Sequence, residues 1–343
     1  MYKNLIPSKP KITVVTPTFN RANLLPETIQ SILQQTYPNF EYIIIDDGST
    51  DDTQTILNKY SGHLKVHYQV NSGEAKATNL GWKLCNTEYF AMVSSDDPMA
   101  KNWLEEMVAY MDAHPHILVA YPDWTMIDSE SKPIKEIKVS EYSIEKLLAW
   151  LQCLPGPGTV IRKFALPKKF ILRDPNFFYL PDLESWFRLS LKGQFARVPE
   201  NLANWRNHQN STSIAKHNIE RSLEYIRLVQ NFYKRKDLPE NIKPFYKPAL
   251  SRAYYLSAIF CRYKHPLHSI YYLFWSIILQ PFEPVDLPKD LRRKSILWLV
   301  LSSFKWIFWK LASLISIRSV SLPPSMQSLY KRLKIIGSRF FSQ

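Results

Sequence analysis

The chain has 343 residues, 44 Lys plus Arg against 30 Asp plus Glu, a formal net charge of +14, and 45% hydrophobic and 14% aromatic content. Residues 1–213 carry 22 basic and 23 acidic side chains, a net of −1, whereas residues 214–343 carry 22 basic and 7 acidic, a net of +15. The apolar content excludes a disordered polycation, which lacks the surface to offset chain entropy, and the neutral front excludes a protein that wraps nucleic acid over its whole surface.

In chain order, Met1–Lys11 has two prolines and no apolar run, which predicts no secretory signal. Ile12–Thr16 is a β-branched strand ended by Pro17. Asn23 is a candidate cap for a helix that carries Leu25, Ile29, Ile32 and Leu33 at helical spacing. Tyr42–Ile45 is continuously apolar, as in a strand buried on both faces. Ser49 or Thr50 is positioned to cap the next helix, with Asp51 and Asp52 in its first turn. Val66–Val70 reads as a strand, Ala75–Leu84 as a helix and Tyr89–Val93 as a strand. This βαβαβαβ alternation predicts an open α/β sheet.

Ligands in such sheets bind at the carboxyl ends of the strands. Pro17-Thr18-Phe19-Asn20-Arg21 follows the first strand, Asp46-Asp47-Gly48-Ser49 the second and Ser94-Ser95-Asp96-Asp97 the fourth. Either carboxylate pair alone also fits an ordinary turn. Two pairs at one edge point instead to a cation, Mg²⁺ or Mn²⁺, bridging phosphate oxygens. There is no glycine before Gly48, no G-x-G-x-x-G after the first strand and no P-loop signature, which disfavours a dinucleotide-dependent oxidoreductase and a P-loop NTPase.

Lys11–Arg21, Ile44–Asp51, Asn71-Ser72-Gly73, Ala77–Gly81 and Glu88–Asp97, in this order and spacing, resemble the family 2 glycosyltransferases over roughly residues 10–213. The resemblance implies a GT-A fold, a Rossmann-like open sheet, followed here by a mainly helical extension. It implies that Pro17, Phe19 and Arg21 wall a nucleotide pocket with Phe19 against the base, and that Asp47 accepts from a uracil ring. Asp96 and Asp97 stand at the D-x-D position, Asp96 toward the nucleotide and Asp97 as direct metal ligand. Ser94 stands where many members have an acid, and Thr78 where many have Arg. Lys76 is either the replacement for that charge or a solvent-facing helix lysine.

The same resemblance places the catalytic base at Asp182 in Tyr179–Leu189, with Glu184 in reserve and Pro181 where the family often has Glu. An inverting transfer needs a carboxylate that takes the proton of the attacking hydroxyl. Asp182 also fits a helix cap. Arg206 and His208, in Asn204–Ser213, are implied as phosphate and metal contacts.

From Ile214 onward helical spacing takes over. Ile219, Leu223, Ile226 and Val229 form one stripe, prolines 239, 244 and 248 punctuate a linker, and Tyr254–Phe260 and Ile270–Leu279 are further apolar helices. Ile296–Phe308 and Tyr330–Phe341 combine basic with aromatic residues. Ser295–Ile317 is interrupted by Lys305 and Lys310, against a plain transmembrane helix. So much aliphatic surface fits a lipid interface or packing on the core better than it fits nucleic acid. Cys85, Cys153 and Cys261 lack metal-ligand spacing and read as reduced cytosolic thiols. The expectation is therefore a catalytic domain over 1–213 and a basic, aromatic, membrane-associating extension over 214–343. The enzyme expected is a cytoplasmic, peripheral, inverting hexosyltransferase of polysaccharide biosynthesis, using a UDP-linked donor, Mg²⁺ or Mn²⁺ and a glycan or lipid-linked acceptor. The departures at Thr78, Ser94 and Pro181 also admit a non-catalytic glycan-assembly scaffold on a degenerate GT-A fold.

Overall fold

The computed structural model describes residues 9–208, 219–262 and 264–280. The front half alternates β1 (Ile12–Thr18), α1 (Leu25–Leu33), β2 (Phe40–Asp46), α2 (Thr53–Asn58), β3 (Lys65–Tyr68), α3 (Glu74–Leu84) and β4 (Tyr89–Met92). Then come α4 (Trp103–Ala113), β5 (Ile117–Ile127), β6 (Pro133–Ile137), α5 (Ile144–Leu148), β7 (Val160–Arg162), α6 (Pro181–Ser190) and β8 (Gln194–Arg206). The strands form one mixed sheet in the order β3-β2-β1-β4-β7-β5-β6, with β8 pairing β5. Strands β3, β2, β1 and β4 are parallel, β7 runs antiparallel to both β4 and β5, and β8 is parallel to β5.

Side-chain alternation explains the layers. Ile12, Val14, Tyr42 and Ile44 enter one core with α1 and α4, whereas Val15, Ile43 and Ile45 enter the other with residues of α3 and α6. The central strand β1 is buried along its whole length, as expected for a parallel sheet covered by its crossover helices, whereas the edge strand β3 is partly exposed and β6 largely so. Gly81 lets α3 lie directly on β1, since a Cβ there would come within 2.3 Å of Val15 Cγ1.

Three helices follow: α7 (Ile219–Tyr233), α8 (Tyr246–Cys261) and α9 (Pro266–Leu279). Helix α7 joins the second core: the Phe232 ring meets Phe187 of α6 edge-on at 5.0 Å, and Tyr233 Oη donates to the Leu148 carbonyl at 3.3 Å. The expected proline-punctuated linker is more ordered than its composition suggests. Pro244 lies in the 3-10 turn Lys243–Phe245 and Pro248 in the first turn of α8, where a missing N–H costs no intrahelical bond. No described helix is long and apolar enough to cross a membrane. The segments Ile296–Phe308 and Tyr330–Phe341 lie outside the described residues.

Two expected caps differ. Leu24, not Asn23, precedes α1, and Asp52 precedes α2, while Asp51 Oδ1 accepts from the Thr53 N–H at 3.0 Å.

Candidate active site

The loops after β1 and β2 are tied together by Asn20, which adopts φ +53°. Its Oδ1 accepts from the Thr50 N–H at 2.7 Å, and its own N–H donates to Ser49 Oγ at 2.9 Å. Asn tolerates the left-handed region because its side chain can bond locally. Beside it, Pro17 is buried at the end of β1 and Phe19 is 43% exposed, free to offer its ring to a planar ligand.

Asp47 is buried, and its carboxylate braces the neighbouring loop. Oδ1 accepts from Gln69 Nε2 at 2.6 Å and the Ser72 N–H at 2.9 Å; Oδ2 accepts from the Gly73 N–H at 2.8 Å. Asp47 therefore shapes the pocket wall through residues 69–73, and Oδ2, with its single partner, retains capacity for a ligand donor. Gly48 makes this turn possible: it has φ +75°, and a Cβ would lie 2.8 Å from the Asn71 nitrogen.

Asp96 and Asp97 leave the end of β4. Asp96 Oδ2 lies 2.8 Å from His208 Nε2 and 3.9 Å from Arg21 Nε. Asp97 is buried, and its Oδ1 accepts from the Arg206 N–H at 2.8 Å. Burial, and then the adjacent Asp96 carboxylate, push the Asp97 carboxyl well above the usual carboxylate range. Two adjacent carboxylates are the hard donors a divalent cation takes, although among the described residues no group of three or more His, Cys, Asp or Glu is gathered to hold one. His208, expected as a metal contact, has its Nε2 against the Asp96 carboxylate in this arrangement.

Arg206 corrects the sequence reading. Its side chain is 1% exposed, and its guanidinium donates inward: Nε to the Asp96 carbonyl at 2.8 Å, Nη1 to the Asp128 carbonyl at 3.1 Å and Ser131 Oγ at 2.9 Å, and Nη2 to Glu27 Oε2 at 2.6 Å. A guanidinium so engaged is a strut beneath Asp96 and Asp97, not a phosphate clamp.

The opposite half of the site centres on α6. Pro181 opens the helix and Asp182 follows, so Asp182 is not the cap. The Asp182 side chain is 53% exposed, and its Oδ1 pairs with Arg173 Nη2, a side chain only 3% exposed. Arg173 is fixed through its backbone: its carbonyl accepts from Asn79 Nδ2 at 2.7 Å, and its N–H donates to Asn79 Oδ1 at 2.8 Å. Its Nη2 also lies 3.7 Å from Met92 Sδ on β4, which places Asp182 and the Asp96–Asp97 strand end at one edge of the sheet. Glu74, at the exposed start of α3, interacts electrostatically with the same guanidinium. Lys76, the sequence candidate for this positive charge, is exposed on α3. Glu184, the reserve base, is buried and paired with Arg188 Nη2 at 2.6 Å.

Sequence reasoning missed Arg173, Glu74 and Glu224. Glu224 lies on α7, within the expected extension, yet accepts from the N–H groups of Phe178 at 2.8 Å, Tyr179 at 2.8 Å and Leu180 at 3.0 Å. It holds the segment that delivers Asp182. The one signal available was an acid facing the apolar stripe of α7, where a charge needs a partner.

Residues 13–174 match the family described as Glycosyl transferase family 2. An uncharacterized glycosyltransferase of Rickettsia typhi is 32% identical over 185 residues, covering 52% of this chain and 58% of that protein. A Bacillus subtilis protein named for teichuronic acid biosynthesis is 29% identical over 211 residues, covering 60% of this chain and 82% of that one. The chain thus spans less than two thirds of the Rickettsia relative's length. Among solved structures, Staphylococcus aureus TarS 1–349 in complex with UDP-GlcNAc has a TM-score of 0.55 at 18% identity, covering 78% of this chain and 89% of that one. The Pyrobaculum calidifontis mannosyltransferase with GDP-Man and Mn²⁺ has a TM-score of 0.54 at 16% identity, covering 87% of each. The fold is the GT-A fold of glycosyltransferases. The chain belongs to glycosyl transferase family 2.

Proposed function

We propose that the protein is an inverting, metal-dependent glycosyltransferase that moves a sugar from a UDP-linked donor to a hydroxyl of a glycan or lipid-linked acceptor. The observation that carries this reading is the convergence at one sheet edge of the partly exposed Asp96, the buried Asp97 and the half-exposed Asp182, linked through Arg173 and Met92. Asp97, with Asp96, would hold Mg²⁺ or Mn²⁺, and the bound cation would stabilise the charge of the departing diphosphate. Phe19 offers a ring to the base, Asp47 fixes the loop beside it, and Arg21 adds positive charge next to Asp96. Asp182 keeps one oxygen on Arg173 and presents the other to the acceptor hydroxyl, whose proton it takes as oxygen attacks the anomeric carbon. UDP-GlcNAc in the TarS complex and GDP-Man with Mn²⁺ in the mannosyltransferase complex support a nucleotide-sugar and a divalent ion here. The teichuronic acid relative supports a wall or surface polysaccharide as the acceptor class.

The helical region would place this site at the cytoplasmic face of the membrane. Helix α9 supports that reading, because beyond the Tyr272 and Leu273 that it buries, it exposes Leu267, Tyr271, Phe274, Trp275 and Ile278.

The test is nucleotide release from a panel of UDP-, GDP- and dTDP-sugars with Mn²⁺. UDP release by the wild type is expected, falling at least about 100-fold in Asp182→Asn. No turnover of any donor, with Asp97→Ala and Asp182→Asn leaving cellular glycan unchanged, would favour the scaffold reading.

A further inference from the structure

We infer that Arg173 is the positioning residue of the transfer step, holding the Asp182 carboxylate in line for the acceptor hydroxyl. The inference rests on the glycosyltransferase reading above and adds to it a residue that does not itself touch substrate.

Three observations carry it. The guanidinium is almost fully buried while its partner carboxylate is half exposed, so the rigid member of the pair is the arginine. That rigidity has a source in the fold: Asn79 grips both backbone groups of Arg173, tying the loop before α6 to α3. Finally, the arginine is poorly satisfied by everything except carboxylates. Its Nε has no hydrogen-bond partner among the described residues, and its contacts with Ser185 Oγ at 3.4 Å and Met92 Sδ at 3.7 Å are long. A buried, incompletely bonded guanidinium is unfavourable for stability. An arginine serving only to stabilise the fold would be expected to satisfy more of its donors.

Glu74, at the exposed start of α3, acts electrostatically on the same guanidinium and on Asp182. The ion pair with the buried arginine limits the positions open to the Asp182 side chain. A base must be held to within fractions of an ångström to act efficiently. Asp182, near the start of a helix and half exposed, would otherwise sample several rotamers.

The experiment compares wild type, Asp182→Asn, Arg173→Met, Arg173→Lys and the Asp182→Asn/Arg173→Met double variant. Rates are followed as UDP release from UDP-GlcNAc, or from whichever panel sugar the wild type turns over best, and fluorescence titration with UDP verifies that each variant is folded. Arg173→Met should lower kcat about 100-fold while leaving donor KM within about twofold. Arg173→Lys, which keeps the charge without the fork, should recover about tenfold of that loss. The double variant should be no slower than Asp182→Asn, because Arg173 acts through Asp182; a purely structural contribution would add to it. If Asp182→Asn turns over like wild type, the transferase reading fails and this inference with it. If Asp182→Asn is slow but Arg173→Met keeps its kcat, or if the two losses add, only the Arg173 assignment is overturned. If Arg173→Met does not bind UDP, Arg173→Lys decides alone: loss of kcat at unchanged donor KM supports the assignment, and unchanged kcat overturns it.

Discussion

Asp97 is a carboxyl placed where ionisation is unfavourable, buried and next to Asp96, with its position fixed by the Arg206 N–H. Such an arrangement is unfavourable for the folded protein, and the proposed divalent cation would relieve it. Asp97→Asn should therefore raise the melting temperature without metal by a few degrees, the equivalent of about 1 kcal/mol, and should abolish the further rise that Mn²⁺ gives the wild type. Thermal melts with and without Mn²⁺ check both halves, and an unchanged Mn²⁺ response would remove Asp97 from the metal site. The Asp pairs were legible in the sequence because a strand end followed by acids is a local pattern. Arg206 was not, because the carbonyls of Asp96, Asp128 and Ser129 that it gathers come from two loops far from it in the chain. Arg173 was hidden for the same reason: its partners Asn79 and Asp182 lie on different helices.

At the scale of elements, the parallel half of the sheet was readable and the antiparallel half was not. Strands β1 and β2 are uninterrupted apolar runs, whereas β5 contains Pro122 and Asp123, which argue against a strand in isolation. The sheet accommodates them with register shifts against β8 on either side of Asp123. Asp123 then does the work of the missing ladder bonds: its two oxygens accept from Arg197 Nε at 2.7 Å and Nη2 at 2.6 Å, and Oδ1 also accepts from the Val139 N–H at 2.9 Å. Burial alone would raise the Asp123 carboxyl, but the bonds from Arg197 and Val139 outweigh it and hold the carboxyl below its ordinary value. A depressed folded value means that the stabilisation is complete above the unfolded carboxyl value, about 4, and is lost as pH falls through the lower folded value. Asp123→Asn should thus cost about 2 kcal/mol at pH 7 and progressively less below about pH 4. Urea unfolding at the two pH values measures this, and a cost independent of pH would assign it to packing rather than charge. Because β8 ends in Arg206, loosening the β5–β8 pair should also loosen the Asp96–Asp97 turn.

For the whole molecule, the charge division at residue 213 does not coincide with a structural division. Glu224 of α7 holds residues 178–180, and Phe232 packs on Phe187, so the first helix of the basic region belongs to the catalytic unit. Helix α9 is different, apolar on both faces: it buries Tyr272 and Leu273 beside Ser269, whose Oγ donates to the Ala258 carbonyl at 2.8 Å, and Ser276, whose carbonyl accepts from Ser251 Oγ at 2.8 Å. Its outward residues Leu267, Tyr271, Phe274 and Ile278 share one face at helical spacing and are 53–71% exposed. A helix with an exposed apolar face, on a chain whose residues 214–343 carry +15, suits an anionic lipid surface, where each basic residue contributes about 1 kcal/mol and each apolar side chain gains by leaving water. The full chain should therefore cosediment with vesicles containing phosphatidylglycerol at low salt and less so as salt shortens the screening length. Replacing Leu267, Tyr271, Phe274 and Ile278 together by Ser should weaken that binding about 10-fold or more, since burying several large side chains contributes several kcal/mol. UDP affinity should stay unchanged, because the four substituted side chains are exposed on α9 and none belongs to the strand-end loops that carry Phe19, Asp47, Asp96 and Asp97. Binding to vesicles that survives the four substitutions would move the lipid contact elsewhere on the chain, and absence of vesicle binding in the wild type would leave α9 as a face for protein.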